Sequence, residues 1–271
     1  MLVVAMLASL IYAIIEGPNH GWTSVTTIGL FVVSVAALVG LLVWEPRRRE
    51  PLIELGFFRS VPFTGATAIA VCAFASMAGF LFMNTLYLQE VRGYSALHAG
   101  LLTLPMAGMA MLFGPVSGRV VGTRGPRIPL LIGGVGIGLC GLLLTQLSPT
   151  TSVAHLVLAY LVFGIGIGFI NTPITNTAVS GMPADQAGVA AAVASTSRMV
   201  GQSLGVAVIG AASTVAAGTT LAAGFASATH AGWWIVVGCA SMIIVLGFVT
   251  TGAWARETAT RATARFEAAP T

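Results

Sequence analysis

The fold is decided by a basic segment, Gly118-Arg-Val-Val-Gly-Thr-Arg-Gly-Pro-Arg127, and by the apolar runs on either side of it, Ala99–Ser117 and Ile128–Gln146. Each run has 19 residues without an acid or a base. As a helix rising about 1.5 Å per residue, such a run can cross a hydrocarbon core of about 30 Å. We therefore predict two membrane helices joined by a ten-residue turn. Positively charged loops are retained in the cytoplasm, so the three arginines predict a cytoplasmic turn.

Glycines recur at intervals of four residues around this turn. Gly114 lies before the turn and Gly118 and Gly122 lie within it, while Gly134 and Gly138 lie on the second helix. Small residues at that spacing let helix backbones approach closely in lipid. The pattern predicts that the two helices pack tightly.

Composition indicates a polytopic membrane protein. Apolar residues make up 56% of the chain and charged residues 7%, with a mean hydropathy of +0.94. A soluble domain would have about a quarter of its residues charged. All three cysteines, Cys72, Cys140 and Cys239, fall inside apolar runs. They are predicted to be small buried residues rather than disulfides or metal ligands.

Eight apolar segments are predicted, at about 1–15, 24–44, 62–87, 99–117, 128–146, 153–170, 187–217 and 233–254. The first is too short to span comfortably and is interpreted as the outer end of a helix whose beginning is missing. Between the segments, Glu16–Trp22 is predicted to be a polar turn and Asn171–Gln186 a polar cytoplasmic segment. Of the 12 arginines, all except Arg92 fall on the side predicted to be cytoplasmic. This asymmetry predicts the orientation, with a cytoplasmic C-terminus.

The predicted fold class is therefore an all-α integral membrane protein. Residues 1–60 hold the partial first helix, the second helix and a basic cytoplasmic connector. Residues 61–255 form a six-helix transmembrane bundle, and residues 256–271 form a cytoplasmic tail.

A series of short motifs follows in a fixed order along the chain. The motifs are Glu16-Gly-Pro-x-x-Gly-Trp22, Glu45-x-Arg47 with Pro51-Leu52, Tyr87-Leu-Gln89, Gly93-Tyr-Ser95, Ala99-Gly-Leu101 with Pro105, Gly118 to Arg127, Met182-Pro183, Gly188 and Arg198-x-x-Gly-x-x-x-Gly205. Their order and spacing resemble the 14-helix drug:proton antiporter branch of the major facilitator superfamily. On this resemblance the first two segments correspond to the extra central helix pair and the other six to the C-terminal bundle. The N-terminal six helices have no counterpart.

The basic turn carries the resemblance further. Gly118, Gly125 and Arg127 match the loop that joins the second and third helices of each six-helix half in that superfamily. The family usually has an Asp where this chain has Gly122, and often an Arg where it has Thr123. A gating role would therefore rest on the arginines. The gating and loop residues implied are Gly118, Arg119, Arg124, Gly125, Arg127 and Arg198.

The resemblance implies secondary active transport in the bacterial cytoplasmic (inner) membrane: proton-coupled efflux of hydrophobic or cationic small molecules. The expected partners are the lipid bilayer, protons, these substrates, and an N-terminal six-helix half supplied in cis or in trans. Proton coupling needs a buried carboxylate whose pKa is raised. None of the eight acids lies in the middle of a predicted span. Coupling is therefore expected mostly from the missing half, with Glu90 as the local candidate.

This half is expected to supply one wall of a substrate cavity at the bilayer midplane. The candidate residues are Asn84, Met106, Met109, Asn171, Asn176 and Gln202. Hydrogen bonding between helices is the alternative for the polar residues, and packing or lipid contact is the alternative for the methionines. Arg198 is the one ionised group inside a predicted span. Its side chain is expected to snorkel or to meet Asp185, as a structural anchor or as a gate.

Other function classes lack sequence support. There is no zinc-protease motif, nucleophile elbow or nucleotide-binding loop, so a membrane enzyme is not predicted. No filter motif indicates a channel. No catalytic residue, metal site, cofactor or nucleic-acid partner is predicted. The remaining alternative is a non-transporting truncated membrane protein, or an accessory half that docks on another transporter subunit.

Overall fold

The computed structural model describes residues 2–44, 58, 60–180, 187–217 and 221–267, and these residues are almost entirely helical. The helices are α1 (Leu2–His20), α2 (Val25–Trp44), α3 (Val61–Leu86), α4 (Ala96–Arg124), α5 (Arg127–Leu144), α6 (Val153–Ser180), α7 (Ala187–Ala217), α8 (Leu221–Thr250) and α9 (Ala253–Glu267). A single π-helical turn, Tyr87–Val91, extends α3. The all-α prediction is confirmed.

Five stretches of the described residues are long and apolar enough to cross a bilayer: Val61–Val91, Ala96–Arg124, Arg127–Leu144, Val153–Val179 and Thr229–Thr250. The first two helices contain shorter apolar stretches. Helices satisfy every backbone hydrogen bond within the segment, which is why an apolar chain of this kind folds into spans. The chain is a multi-pass membrane protein.

The helix α3 is the centre of the bundle. It packs against α6, α7 and α8, while α5 lies against α6 and α8, and α4 lies against α6. An aromatic cluster fills the core: the Phe80 ring stacks on Phe163 with centroids 4.2 Å apart and meets Tyr160 and Trp233 edge-on. The helices α1 and α2 form a separate pair, with α1 contacting α7.

The basic turn is much shorter than the ten residues predicted. The helix α4 continues through Arg124 and α5 begins at Arg127, which leaves only Gly125 and Pro126 between them. Gly125 has φ +80°, a conformation that glycine adopts without a steric penalty. Pro126 cannot continue the preceding helix because it lacks an amide hydrogen. These two residues end α4, and the polar residues before them stay helical.

Two other predicted polar segments are largely helical. The helix α1 continues to His20, where the His20 ring lies 3.0 Å from the Glu16 carboxylate. The helix α6 continues to Ser180, well beyond Asn171. Polar side chains end an apolar pattern without ending the helix, whose backbone hydrogen bonds are satisfied internally. The predicted basic connector lies mostly outside the described residues.

The last predicted span, 233–254, ends earlier in the structure than the sequence predicted. The helix α8 ends at Thr250, so Trp254 belongs to α9, the helix that forms most of the predicted tail. Val61 on α3 donates its amide hydrogen to the Thr258 hydroxyl at 3.2 Å. This bond ties α9 to the start of α3.

The prediction that α4 and α5 pack through their glycines was wrong. A Cβ added at Gly114 or Gly122 would meet no atom within 4 Å. On α5, a Cβ at Gly134 would lie 2.7 Å from Ile244, and one at Gly138 would lie 3.2 Å from Ala240, both on α8. The glycine spacing therefore marks close packing, but between α5 and α8 rather than between sequence neighbours.

Candidate functional site

A cavity of about 480 Å³ lies between α3 and α7. Its lining residues are Met77, Ala78, Leu81, Phe82, Thr85, Leu86, Gln202 and Val206. Most of these side chains are apolar, with the Gln202 amide and the Thr85 hydroxyl as the polar groups. This composition suits an apolar molecule that carries one or two hydrogen-bonding groups.

Two glycines on α7 allow the backbones of α3 and α7, the helices that line this cavity, to approach closely. A Cβ at Gly201 would lie 2.5 Å from the Val71 carbonyl oxygen, and one at Gly205 would lie 2.6 Å from the Ala75 Cα. Both positions therefore need glycine, because the obstructing atoms are backbone. The successive contacts show that α3 and α7 run side by side in the same direction.

Arg198 lies one helical turn before Gln202 on α7 and reaches across to α6. Its Nη2 donates to the Thr175 hydroxyl at 2.5 Å and to the Asn171 carbonyl oxygen at 3.4 Å. The guanidinium carbon lies 5.7 Å from the centre of the Phe74 ring on α3. Arg198 thus connects α7 to α6 and α3, one helical turn from the cavity-lining Gln202.

The guanidinium is incompletely satisfied. Its Nε is buried and has no hydrogen-bond partner among the described residues. The salt bridges of the described residues are His20–Glu16 and Arg261–Glu257, and both lie outside α3–α8. Asp185, the predicted partner of Arg198, lies outside the described residues. Arg198 is thus a half-buried cation without a carboxylate partner in the described part of the chain.

The other predicted cavity residues lie in several places. The Tyr160 hydroxyl donates to the Asn84 side-chain oxygen, so Asn84 joins α3 to α6 in the buried core. Met106 and Met109 lie where α4 passes Gly164 on α6. Asn176 is exposed on α6. Of the predicted set, only Gln202 is among the lining residues of the cavity, and the Asn171 carbonyl oxygen accepts a hydrogen bond from Arg198.

Sequence reasoning missed most of the cavity wall on α3. Leu81, Phe82 and Thr85 follow Met77 by four, five and eight residues, a spacing that places the side chains on one broad face of a helix. The signal was present but could not be distinguished from a lipid-facing stripe. Thr175, whose hydroxyl accepts a hydrogen bond from Arg198, was missed because it lies in the segment predicted to be polar and cytoplasmic.

The predicted loop residues lie at the end of α4 and the start of α5. Arg119 and Arg124 are exposed, and Gly118 lies beside Thr172 on α6. The Arg127 guanidinium lies 4.8 Å from the centre of the Phe248 ring on α8. Arg127 thus contacts α8, whereas Arg198 contacts α3 and α6.

Hydrogen bonds from Arg92, here called the polar clasp, join two connections at the end of the bundle opposite the α4–α5 turn. Arg92 donates through Nη1 to the carbonyl oxygens of Pro149 at 2.9 Å and Thr151 at 2.7 Å. It also donates through Nη2 to the Tyr94 hydroxyl, and this hydrogen bond raises the pKa of Arg92. The clasp ties the α3–α4 connection to the α5–α6 turn. The nearby Glu90 is exposed.

Other concave features carry less chemistry. A larger concavity of about 730 Å³ follows one face of α2, and all its lining residues are apolar residues of that single helix. It offers no converging polar groups, so it resembles a lipid-facing groove. Within the described residues, no group of three or more His, Cys, Asp or Glu side chains could hold a metal ion.

Comparison with known proteins gives consistent matches. The family model described as Major Facilitator Superfamily matches residues 1–206. The chain is 36% identical over 211 residues to the "Multidrug resistance protein Stp" of Mycobacterium tuberculosis, covering 78% of this chain and 39% of that protein. It is 36% identical over 203 residues to the "Tetracenomycin C resistance and export protein" of Streptomyces glaucescens, covering 74% of this chain and 37% of that protein.

A third relative is the "Quinolone resistance protein NorB" of Staphylococcus aureus. It is 35% identical over 213 residues, which cover 78% of this chain and 46% of that protein. The chain thus spans less than half the length of each of these three relatives. The names of all three relatives refer to resistance to, or export of, small organic molecules.

Proposed function

Because this chain belongs to the Major Facilitator Superfamily, we propose that it takes part in secondary active export of hydrophobic small molecules across a bacterial cytoplasmic membrane. The observation that carries the proposal is the family match over residues 1–206. The names of the relatives, which refer to multidrug, tetracenomycin C and quinolone resistance, support the same class of substrate. We place the chain in the 14-helix branch on its motif order.

The cavity between α3 and α7 is the proposed substrate wall. It is open at the bundle surface, it is mainly apolar, and Gln202 gives it a polar group. In this proposal the bundle α3–α8 supplies one half of the transport pathway. A second six-helix half, in cis or in trans, supplies the other, and substrate binds between them.

Proton coupling is assigned to that second half. Exchange for protons needs a carboxylate that is buried in the pathway and gains or releases a proton as the site changes sides. Among the described residues of α3–α8 and their connections, the one acid is Glu90, which is exposed at the end of the bundle. We also propose that the turn between α4 and α5, and the C-terminus, face the cytoplasm because the arginines concentrate there.

Transport can be tested in proteoliposomes with an imposed pH gradient. The chain would be reconstituted alone, and also together with the N-terminal half of the Mycobacterium tuberculosis relative, and uptake of norfloxacin would be followed by its fluorescence. We expect gradient-dependent uptake only when both halves are present. The N-terminal half alone is the control. Robust pH-driven uptake by the chain alone would contradict the assignment of coupling to the other half.

An accessory role is the second candidate. It is favoured by the lack of a buried acid in the described bundle. An accessory half would associate with the N-terminal half on co-purification and yet give no uptake of norfloxacin or of ethidium in the same proteoliposomes. Uptake of either compound would exclude the non-transporting role.

A further inference from the structure

Charged residues are rare in α3 and α7, which line the cavity, and in α6, which Arg198 contacts. Within α3, α6 and α7, Arg198 is the one residue of the Arg, Lys, Asp and Glu types. A charged side chain inside an apolar segment is expensive unless it is paired or reaches water. The position of Arg198 therefore indicates a function for its charge.

The local contacts hold the guanidinium in place without neutralising it. An arginine has five N–H donors. In this chain Nη2 donates to a hydroxyl and a carbonyl oxygen on α6, while the buried Nε has no partner among the described residues. Both of these partners are uncharged. The arrangement orients a full positive charge and leaves the Nε hydrogen without a partner among the described residues.

The cavity begins about one helical turn away. Gln202 follows Arg198 by four residues on α7, so both side chains lie on the same face, with their Cα atoms about 6 Å apart along the axis. Gln202 lines the cavity beside Met77 and Phe82. An apolar body in the cavity can therefore extend a short polar group toward Arg198.

We propose that this cavity binds amphipathic organic anions, with the apolar part of the molecule against α3 and its carboxylate at Arg198. Guanidinium matches carboxylate in both charge and geometry, because two parallel N–H groups can meet two oxygens. The assignment rests on the proposed function and specifies the sign of the substrate's charge. The sequence predicted hydrophobic or cationic substrates. An arginine that lies one helical turn from the cavity, and has no carboxylate partner among the described residues, favours an anion over a cation.

The test compares three probes with the same ring system: 1-pyrenebutyrate, the neutral 1-pyrenebutanol and a pyrenebutyl trimethylammonium salt. The 271-residue chain would be placed in nanodiscs of zwitterionic lipid, with empty nanodiscs subtracted, and binding followed by pyrene fluorescence. We expect the carboxylate to bind about tenfold more tightly than the alcohol, as one charge-assisted hydrogen-bonded pair would give. The cation should bind most weakly.

Variants assign the effect to one side chain. Arg198→Met should abolish the preference for the carboxylate while leaving the affinity for the alcohol unchanged. Arg198→Lys keeps the charge but loses the two parallel N–H donors of the guanidinium, so it should retain a preference of about threefold. Arg119→Met removes an exposed arginine on α4 and is the matched control, with the preference unchanged. If Arg198→Met does not fold, the result with Arg198→Lys still decides the question.

Several results would overturn the proposal: no binding of any probe, tightest binding of the cation, a preference that survives in Arg198→Met, or a preference lost equally in Arg119→Met. Loss of the preference when the nanodiscs contain 30% phosphatidylglycerol would assign Arg198 to a lipid headgroup instead. Binding requires no turnover. A carboxylate preference without uptake in the two-half proteoliposomes would contradict transport alone, and uptake without this preference would contradict only the anion site.

Discussion

The helices α3 and α4 are both long and apolar, but they have opposite environments. The most apolar 18-residue stretches of the two spans have mean hydropathies of 2.0 and 1.6, yet half of the first stretch is buried in the bundle, against 6% of the second. In water such a difference would be unfavourable for the exposed helix. In lipid it is not, since hydrocarbon chains are as apolar as the side chains. Hydropathy therefore identifies a span without indicating what the span contacts.

What separates the two helices is where small residues allow backbones to meet. The side chains of Thr250 and Ile209 fill the positions that a Cβ would take at Gly65 and Gly79 on α3. Gly100 and Gly108 on α4 have no atom within 4 Å of a Cβ position. Close packing of this kind, through dispersion and interhelical hydrogen bonds, holds membrane helices together. The same residue type thus marks an interface in one helix and an open face in the other.

The largest effect is expected from adding one methyl group at the α3–α7 contact. In Gly205→Ala, the new Cβ would lie 2.6 Å from the Ala75 Cα. Backbone cannot rotate away as a side chain can, so the helices must separate. We expect a loss of about 3 kcal/mol in the free energy of unfolding, at the upper end for overpacked sites. The measurement is SDS titration of the purified chain, followed by circular dichroism.

The matched control for this change is Gly108→Ala on α4. It makes the same substitution where no atom lies within 4 Å, and alanine is the better helix former. Its free energy of unfolding should be unchanged or slightly raised. Equal losses in the two variants would show that glycine contributes through backbone flexibility rather than through close packing.

A second comparison uses two methionines. Met83 on α3 is fully buried, whereas Met111 on α4 is 79% exposed. We expect Met83→Ala to lower the free energy of unfolding by about 2 kcal/mol, at the low end for buried methionine, because lipid replaces water as the reference. Met111→Ala should change it by less than about 0.5 kcal/mol. The same titration measures both.

An opposite ranking of the two methionine variants would mean that α4 is covered by other parts of the chain in the folded state. Equal, small effects would indicate that the core around Met83 relaxes to fill the space. The first outcome would contradict the burial difference between the two helices, and the second would contradict the expected cost of the cavity.

The sequence was sufficient to predict the helical class, the approximate spans and the membrane location. This prediction succeeded because the length of an apolar run is a local property of the sequence, as in Ala99–Ser117. Segment ends were less accurate, since polar residues such as Asn171 end an apolar pattern while the helix continues to Ser180. The ends depend on features such as Gly125, whose conformation is special.

The candidate site was predictable only in part. Gln202 and Arg198 could be identified because polar groups in apolar helices are rare. Their partners on α3 and α6 could not be, because pairing between helices distant in sequence leaves no local pattern. Asn84 illustrates the limit: the sequence left open a cavity position and an interhelical hydrogen bond, and the fold shows the hydrogen bond to Tyr160.

The smallest effect concerns hydrogen bonds from the two contrasted helices to α6. Tyr160→Phe removes the hydroxyl and leaves the buried Asn84 oxygen without its donor, so we expect a loss of about 1 kcal/mol in the free energy of unfolding. On α4, the Ser117 hydroxyl donates to the Phe169 carbonyl oxygen at 2.7 Å. Ser117→Ala should have a smaller effect, about 0.5 kcal/mol, because it removes the hydroxyl and leaves an acceptor that helix geometry already serves.

A double variant separates the hydrogen bond from the desolvation of the group left behind. If the loss in Tyr160→Phe comes from an unpaired Asn84, then Asn84→Leu combined with Tyr160→Phe should recover part of it, since two apolar groups then face each other. Losses that simply add would mean that the two side chains stabilise the protein independently. In that case α3 and α4 would differ only in packing, and the polar contact would contribute nothing to the contrast between them.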